Sequence, residues 1–157
     1  MTDTRHVRQT FHRASGLELR STWQSTQAYK RHSHPQLSIG AIVEGQTCCV
    51  CHDREYILNP GDLIVIPAYA PHSCNPVAGQ PRSYHMLYID TELPLALQVI
   101  RSPDLFAHYL DVVETLSSAA LDILLSALPR GTDNADALRS TSQQVQEAFL
   151  SDLAAPP

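Results

Sequence analysis

Residues 40–67 read GAIVEGQTCCVCHDREYILNPGDLIVIP, and the architecture turns on how short apolar runs alternate there with turn residues. GAIVEG and QTCCVC flank a glycine turn at Gly45, and REYILNPGDLIVIP (54–67) holds two runs around Asn59-Pro60-Gly61. Apolar runs this short, bounded by Gly, Pro and Asn, read as strands. Working outward, LELRSTW (17–23) alternates on the N-terminal side and SYHMLYID (83–90) closes the series. Regular short strands with turn signals at this spacing suggest an all-β sandwich or barrel from Leu17 to about Asp90.

The character changes after Pro94. Ser102-Pro103-Asp104 is a helix start, with a capping hydroxyl, proline at the first helical position and an acid in the first turn. Behind it Leu105, Phe106, Tyr109, Leu110, Val113 and Leu116 recur at helical spacing. A second amphipathic run carries Leu121, Leu124, Leu125 and Leu128 and is stopped by Pro129 and Gly131. A third, from about Asp136, sets Leu138, Val145, Phe149 and Leu153 on one side. The chain thus divides into a β-domain over residues 1–93, a helical segment over 94–131 and a remainder over 132–157.

A chain of 157 residues with 43% hydrophobic content can bury one real core. Its formal charge of -5 and its single lysine, Lys30, argue against a surface that tracks phosphates, because nonspecific nucleic-acid affinity comes from clustered cations. The opening MTDTRHVRQTFHRASG has no apolar run resembling a signal-peptide core, and no stretch approaches the roughly 20 apolar residues of a membrane span. The expectation is a cytoplasmic protein with no membrane partner. Cys48, Cys49 and Cys51 crowd into one apolar run and Cys74 stands apart. That pattern is neither a CxxC pair nor a disulfide framework, so the thiols read as small buried hydrophobes.

Chemistry concentrates in His32-Ser33-His34 and in the run from Gly61-Asp62 through Pro67 to His72. Residues two apart on an extended strand share a face, so His32 and His34 can both point into a barrel. Gln36 and Ser38 have the same parity, although Pro35 interrupts it. With Gly45, these residues resemble the two motifs of the cupin superfamily, a histidine pair on one strand and a third histidine after a Gly-x5-Pro turn. The resemblance implies a mainly β fold, a cupin-like jelly-roll β-barrel followed by C-terminal α-helices. It also implies a divalent metal on His32, His34 and His72, with zinc favoured over nickel or iron. Two departures matter. Ser38 stands where metal-binding cupins place a glutamate, and Tyr69 where the second motif has glycine. Water, Gln36 or Cys74 could complete the shell; otherwise the histidines line a metal-free pocket and hydrogen-bond a ligand or each other.

The wider pattern is more specific. RHSHPQLSIGAIVEG (31–45), HDREYILNPGDLIVIPAYAPHSC (52–74), YHMLYID (84–90) and IRSPDLFAHYLDVVETL (100–116) together resemble the N-terminal domain of AraC-type transcription regulators, in order and at the usual spacing. The resemblance covers roughly Leu17 to Leu128. It implies a barrel that binds a small-molecule effector and helices that form a homodimer. VQEAFLSDLAAPP (145–157) looks like the linker and first helix of that family's DNA-binding domain, so DNA is expected to be engaged only through a domain absent from these residues. His32, His34, Gln36 and His72 are the expected polar groups of the pocket, and Trp23 and Tyr84 the candidate stacking faces. Residues upstream of Leu17 are placed as an arm of the sensor domain. The expectation is a non-enzyme. The rival is a small metal-dependent cupin enzyme of dioxygenase or isomerase type, a case weakened by the missing carboxylate and by the lack of a nucleophile motif.

Overall fold

The structure is a computed structural model that describes residues 8–14, 17–90, 95–127, 147, 149–151 and 153. Its strands are β1 (Arg8–Ala14), β2 (Leu17–Ser25), β3 (Leu37–Glu44), β4 (Thr47–Cys51), β5 (Arg54–Leu58), β6 (Leu63–Ile66), β7 (His72–Pro76), β8 (Arg82–Ile89) and β9 (Gln98–Ile100), followed by the helix α1 (Pro103–Ala127). They form a six-stranded sheet, ordered β1-β2-β8-β3-β6-β9, and a three-stranded sheet, ordered β5-β4-β7. Every pairing is antiparallel, and the expected jelly-roll barrel is the fold observed.

The larger core lies outside the barrel. Leu37, Ile39 and Ala41 of β3 share one parity and pack with Leu17, Leu19, Leu63, Val65, Leu87 and Ile89 on the sheet face that α1 covers with Tyr109, Val112, Val113 and Leu116. Ile42, on the other parity, packs between the sheets with Ile64, Ile66, Leu58, Cys49 and Cys51. Both faces of β3 and β6 are therefore covered, which is why these strands read as unbroken apolar runs instead of alternating ones. Tyr109 is fully buried and donates its hydroxyl to the carbonyls of Ile39, at 2.9 Å, and His85, at 3.2 Å. One phenol thereby pins α1 to two neighbouring strands.

Ser102 caps α1 as expected: its hydroxyl accepts from the Leu105 N–H at 3.2 Å, and its carbonyl accepts from Phe106 at 2.9 Å. The first two helical runs, however, form one helix through Ala127, because Ser117-Ser118-Ala119-Ala120 contains no breaker. The side chains of Leu121, Leu124 and Leu125 lie outside the described residues, as do Leu128, Pro129, Gly131, Leu138 and Val145. Phe149 and Leu150 are buried in the same core as Tyr109, and Leu153 packs against it.

Two further differences concern the edges of the sheet. Residues 8–14, placed as part of an arm, run as the edge strand β1 in register with β2, Ala14 opposite Leu17. Residues 98–100, beyond the boundary drawn at 93, add β9 beside β6. Gly45 makes the turn that the sequence assigns it: its φ is +73°, and a side chain there would stand 2.5 Å from the Pro81 carbonyl.

Candidate functional site

His32 and His72 are brought together by an isolated antiparallel bridge, with His32 N–H donating to His72 O at 2.9 Å and His72 N–H to His32 O at 2.8 Å. His34 is held by its carbonyl, which accepts the Tyr69 N–H at 2.6 Å. Tyr69 sits at φ +64°, so the residue that replaces the motif's glycine still makes the left-handed turn. The three rings converge, with centroids 4.8, 4.6 and 5.3 Å apart. The sequence placed the pair on a regular strand. The structure reaches the same convergence differently, because Pro35 ends the extended run and β3 begins only at Leu37.

The second ring nitrogens define the chemistry. His32 Nδ1 lies 2.7 Å from the Lys30 carbonyl and His72 Nδ1 lies 2.8 Å from the Ala70 carbonyl. A carbonyl only accepts, so each Nδ1 carries a proton and Nε2 is the ring nitrogen left to act as a ligand atom. Burial holds the His34 pKa down to about 4, helped by His32, His72 and Arg20 and opposed by Glu18. His72 is also lowered, by burial first and by His32, against the pull of the Ala70 carbonyl. Near neutral pH these two rings are in the form that ligates a metal. One ligand atom from each histidine lies within 4.8 Å of the others, somewhat wider than the about 3.4 Å between nitrogens around a tetrahedral zinc. The group can hold a metal ion with modest closure. Ser38, at the position of the absent carboxylate, is buried and its hydroxyl has no hydrogen-bond partner.

His32 and His72 also line a cavity between the sheets, with Arg20, Tyr29, Arg82, Tyr84, Tyr88 and the apolar wall of Ile42, Leu58, Ile64 and Met86. About 80 Å³ of it is open to water centres, room for on the order of five waters. Tyr84 is among the lining residues. It is hydrogen-bonded to Tyr29, and burial first, then that bond, push its pKa up to about 12. Gly40 shapes the wall, since a Cβ there would meet Met86 Cε at 2.9 Å. Trp23 is not part of the lining: it shares parity with Leu17 and Leu19, and its ring stands edge-on to His85 at 5.3 Å. Gln36 is half-buried just before β3 and belongs neither to the lining nor to the histidine group. Cys74 lines the cavity, but its thiol is engaged with Cys49 directly across the β4–β7 ladder.

Sequence reasoning missed Arg20, Thr47, Arg82, Met86 and Tyr88, all of which line the cavity. A signal was present in LELRSTW, where Arg20 alternates with leucines. Alternation of that kind ordinarily marks the polar residue as solvent-facing, whereas here the polar parity faces the cavity and the apolar parity faces α1.

Comparison with known proteins agrees with this geometry. A family model described as the AraC-like ligand binding domain matches residues 15–152. Over 63 residues the chain is 36% identical to an uncharacterized HTH-type transcriptional regulator, YbfI, of Bacillus subtilis (strain 168); the match takes in 40% of this chain and 23% of that regulator. Among solved structures, AerE from Microcystis aeruginosa superposes with a TM-score of 0.54 at 20% identity, over 60% of this chain and 47% of that one. A cupin superfamily protein from Desulfitobacterium hafniense DCB-2 superposes with a TM-score of 0.50 at 11% identity, over 58% and 84% of the two chains. At such identities the likeness concerns the fold alone. No helix among the described residues is long and apolar enough to cross a membrane. By the extent of the family match, with the barrel and its cavity in agreement, the chain belongs to the AraC-like ligand binding domain family.

Proposed function

We propose that this chain is the effector-sensing and dimerisation part of an AraC-type transcription regulator, working in the cytoplasm and without enzymatic activity of its own. The observation that carries the sensing role is the cavity between the sheets, where a mostly apolar wall meets a few convergent polar groups, the usual character of a small-molecule site. A route outward is built in. The strands β3 and β8 that wall the cavity also accept the Tyr109 bonds from α1, so a ligand that moves them moves the helix. Dimerisation is assigned to the leucine-rich later part of α1, with Leu121, Leu124 and Leu125. DNA contact is assigned to a helix-turn-helix part outside these residues, in keeping with the acidic balance and with the name of the Bacillus relative.

His32, His34 and His72 would hold a divalent ion, zinc before nickel or iron, because a three-imidazole set suits it and leaves a fourth position open. Bound there, the ion supplies a Lewis-acid contact for an oxygen of the ligand. The same open position favours the second reading, a metal-dependent cupin enzyme, against which stands Ser38 in place of a carboxylate.

Sedimentation at micromolar concentration, metal analysis and oxygen-uptake measurements on the purified chain test the choice. A dimer with zinc or no metal and no oxygen uptake supports the sensor. Stoichiometric iron or manganese with turnover of oxygen overturns it in favour of the enzyme, and a monomer unchanged by Leu124→Asp overturns the dimerisation assignment.

A further inference from the structure

The cavity has a charge opposite to that of the chain. The formal charge is -5, yet the lining includes Arg82 and Arg20, the latter paired with Glu18 at 3.7 Å, and no aspartate or glutamate. Arg82 is the extreme case, because it is completely buried. Its guanidinium lies over the Tyr84 ring, 5.3 Å from the centroid, and donates to the Ser25 carbonyl at 2.9 Å and to the Cys74 carbonyl at 3.3 Å. Those bonds use two of the five N–H donors of a guanidinium. Nε is buried with no hydrogen-bond partner, and among the described residues no carboxylate forms an ion pair with this arginine. Thr47, in the same wall, is also buried with an unpartnered hydroxyl.

A buried cation without a counter-ion is costly, and the cost is relieved when an anion arrives. Arginine's planar fork suits a carboxylate, and charge-assisted bonds are shorter and stronger than neutral ones. The 3.3 Å bond to the Cys74 carbonyl is the longer of the two and meets an uncharged acceptor, so it is the one such a group would displace. Resting on the sensor function argued above, we propose that the effector is a small organic acid whose carboxylate is taken by Arg82, with the Thr47 hydroxyl as a second donor, and whose apolar body lies along Ile42, Ile64 and Met86. The space available favours an acid of a few carbons.

Isothermal titration of the metal-free chain tests this with matched probes: sodium butyrate and benzoate against butyramide and benzamide, with sodium phosphate and glycerol as further arms. The expected result is one site per chain for at least one carboxylate, bound at least ten-fold more tightly than its amide. Arg82→Met should abolish that binding. Should Arg82→Met fail to fold, Thr47→Val carries the test, and it should weaken the carboxylate several-fold while raising the melting temperature of the free protein, since it removes an unsatisfied buried hydroxyl. Amides or glycerol binding as well as the acids would overturn the anion assignment and leave the sensor function standing. Phosphate binding more tightly than any carboxylate would overturn the choice of carboxylate. Acid binding that neither variant weakens would overturn the role of Arg82 and Thr47. If no probe binds, charged or neutral, the sensor function itself fails and the assignment falls with it.

Discussion

The two faces of the six-stranded sheet are built to opposite rules. The face under α1 is filled with Leu17, Leu19, Leu37, Ile39, Leu63, Val65, Leu87 and Ile89, and the buried hydroxyl of Tyr109 finds two carbonyls there. The face toward the barrel holds Arg20, Gly40, Ile42, Arg82, Tyr84, Met86 and Tyr88 around a hollow, with the Nε of Arg82 and, on β4 of the other sheet, the hydroxyl of Thr47 left unpartnered. The helix-covered face thus provides the stability, and the barrel face keeps polar groups open at some cost to it. Buried unsatisfied groups are ordinarily few in a folded protein. Two of those in this protein, Arg82 Nε and the Thr47 hydroxyl, lie in the wall of one cavity.

The largest expected effect lies on the filled face. Leu87, 1% exposed, is locked among strands and helix, and Leu87→Ala should cost about 4 kcal/mol. Ile42→Ala, beside the cavity, should cost nearer about 2 kcal/mol, because the space it vacates joins a void that water already reaches. Denaturant titration followed by the fluorescence of Trp23, the single tryptophan, measures both. An equal or reversed order would break the contrast between the faces.

Tyr109→Phe sharpens it further. The variant keeps the ring packed but removes the hydroxyl that ties α1 to β3 and β8, and should cost about 1 kcal/mol. If α1 reports the cavity, it should also weaken the coupling between ligand and helix. Hydrogen exchange of α1 with and without a bound ligand would show that, and an unchanged ligand effect would remove Tyr109 from the route.

The smallest effect is a pH dependence. Burial is the first cause of the lowered pKa of His34, His72 and His85. The unfolded chain takes up these protons near about 6.5, whereas the folded chain resists until lower pH, about 4 for His34. The unfolded state therefore binds more protons in that window, so stability is full above about 6.5 and declines as the pH falls through it. His85→Gln should flatten part of this slope, while Leu87→Ala should lower stability at every pH alike. A stability curve level from pH 7.5 to 4.5 would show that the buried imidazoles contribute nothing.

Much of this was legible in advance because it is local. Turn residues around Gly45 and Asn59-Pro60-Gly61 bound the strands, Ser102 caps the helix, and the spacing of His32, His34 and His72 marks the metal-competent group. The β4–β5 hairpin gave a weaker signal, because its two-residue loop is His52-Asp53, both at positive φ without a glycine. β9, three residues long, is too short for any periodicity to register.

What the sequence by itself determined, then, is where the central strands begin and end and where the long helix starts, since each depends on neighbours along the chain. Tertiary structure alone decided which side of each strand faces the cavity. Periodicity separates two faces without saying what covers them, and here the helix takes the more apolar face of β2 and leaves Arg20 to the barrel. Likewise Trp23 stands edge-on to His85 and outside the lining, and Arg82, a residue type that ordinarily stays in water, is sealed between two sheets against the Ser25 and Cys74 carbonyls and the Tyr84 ring. Burial depends on elements distant in sequence, and no local pattern encodes it.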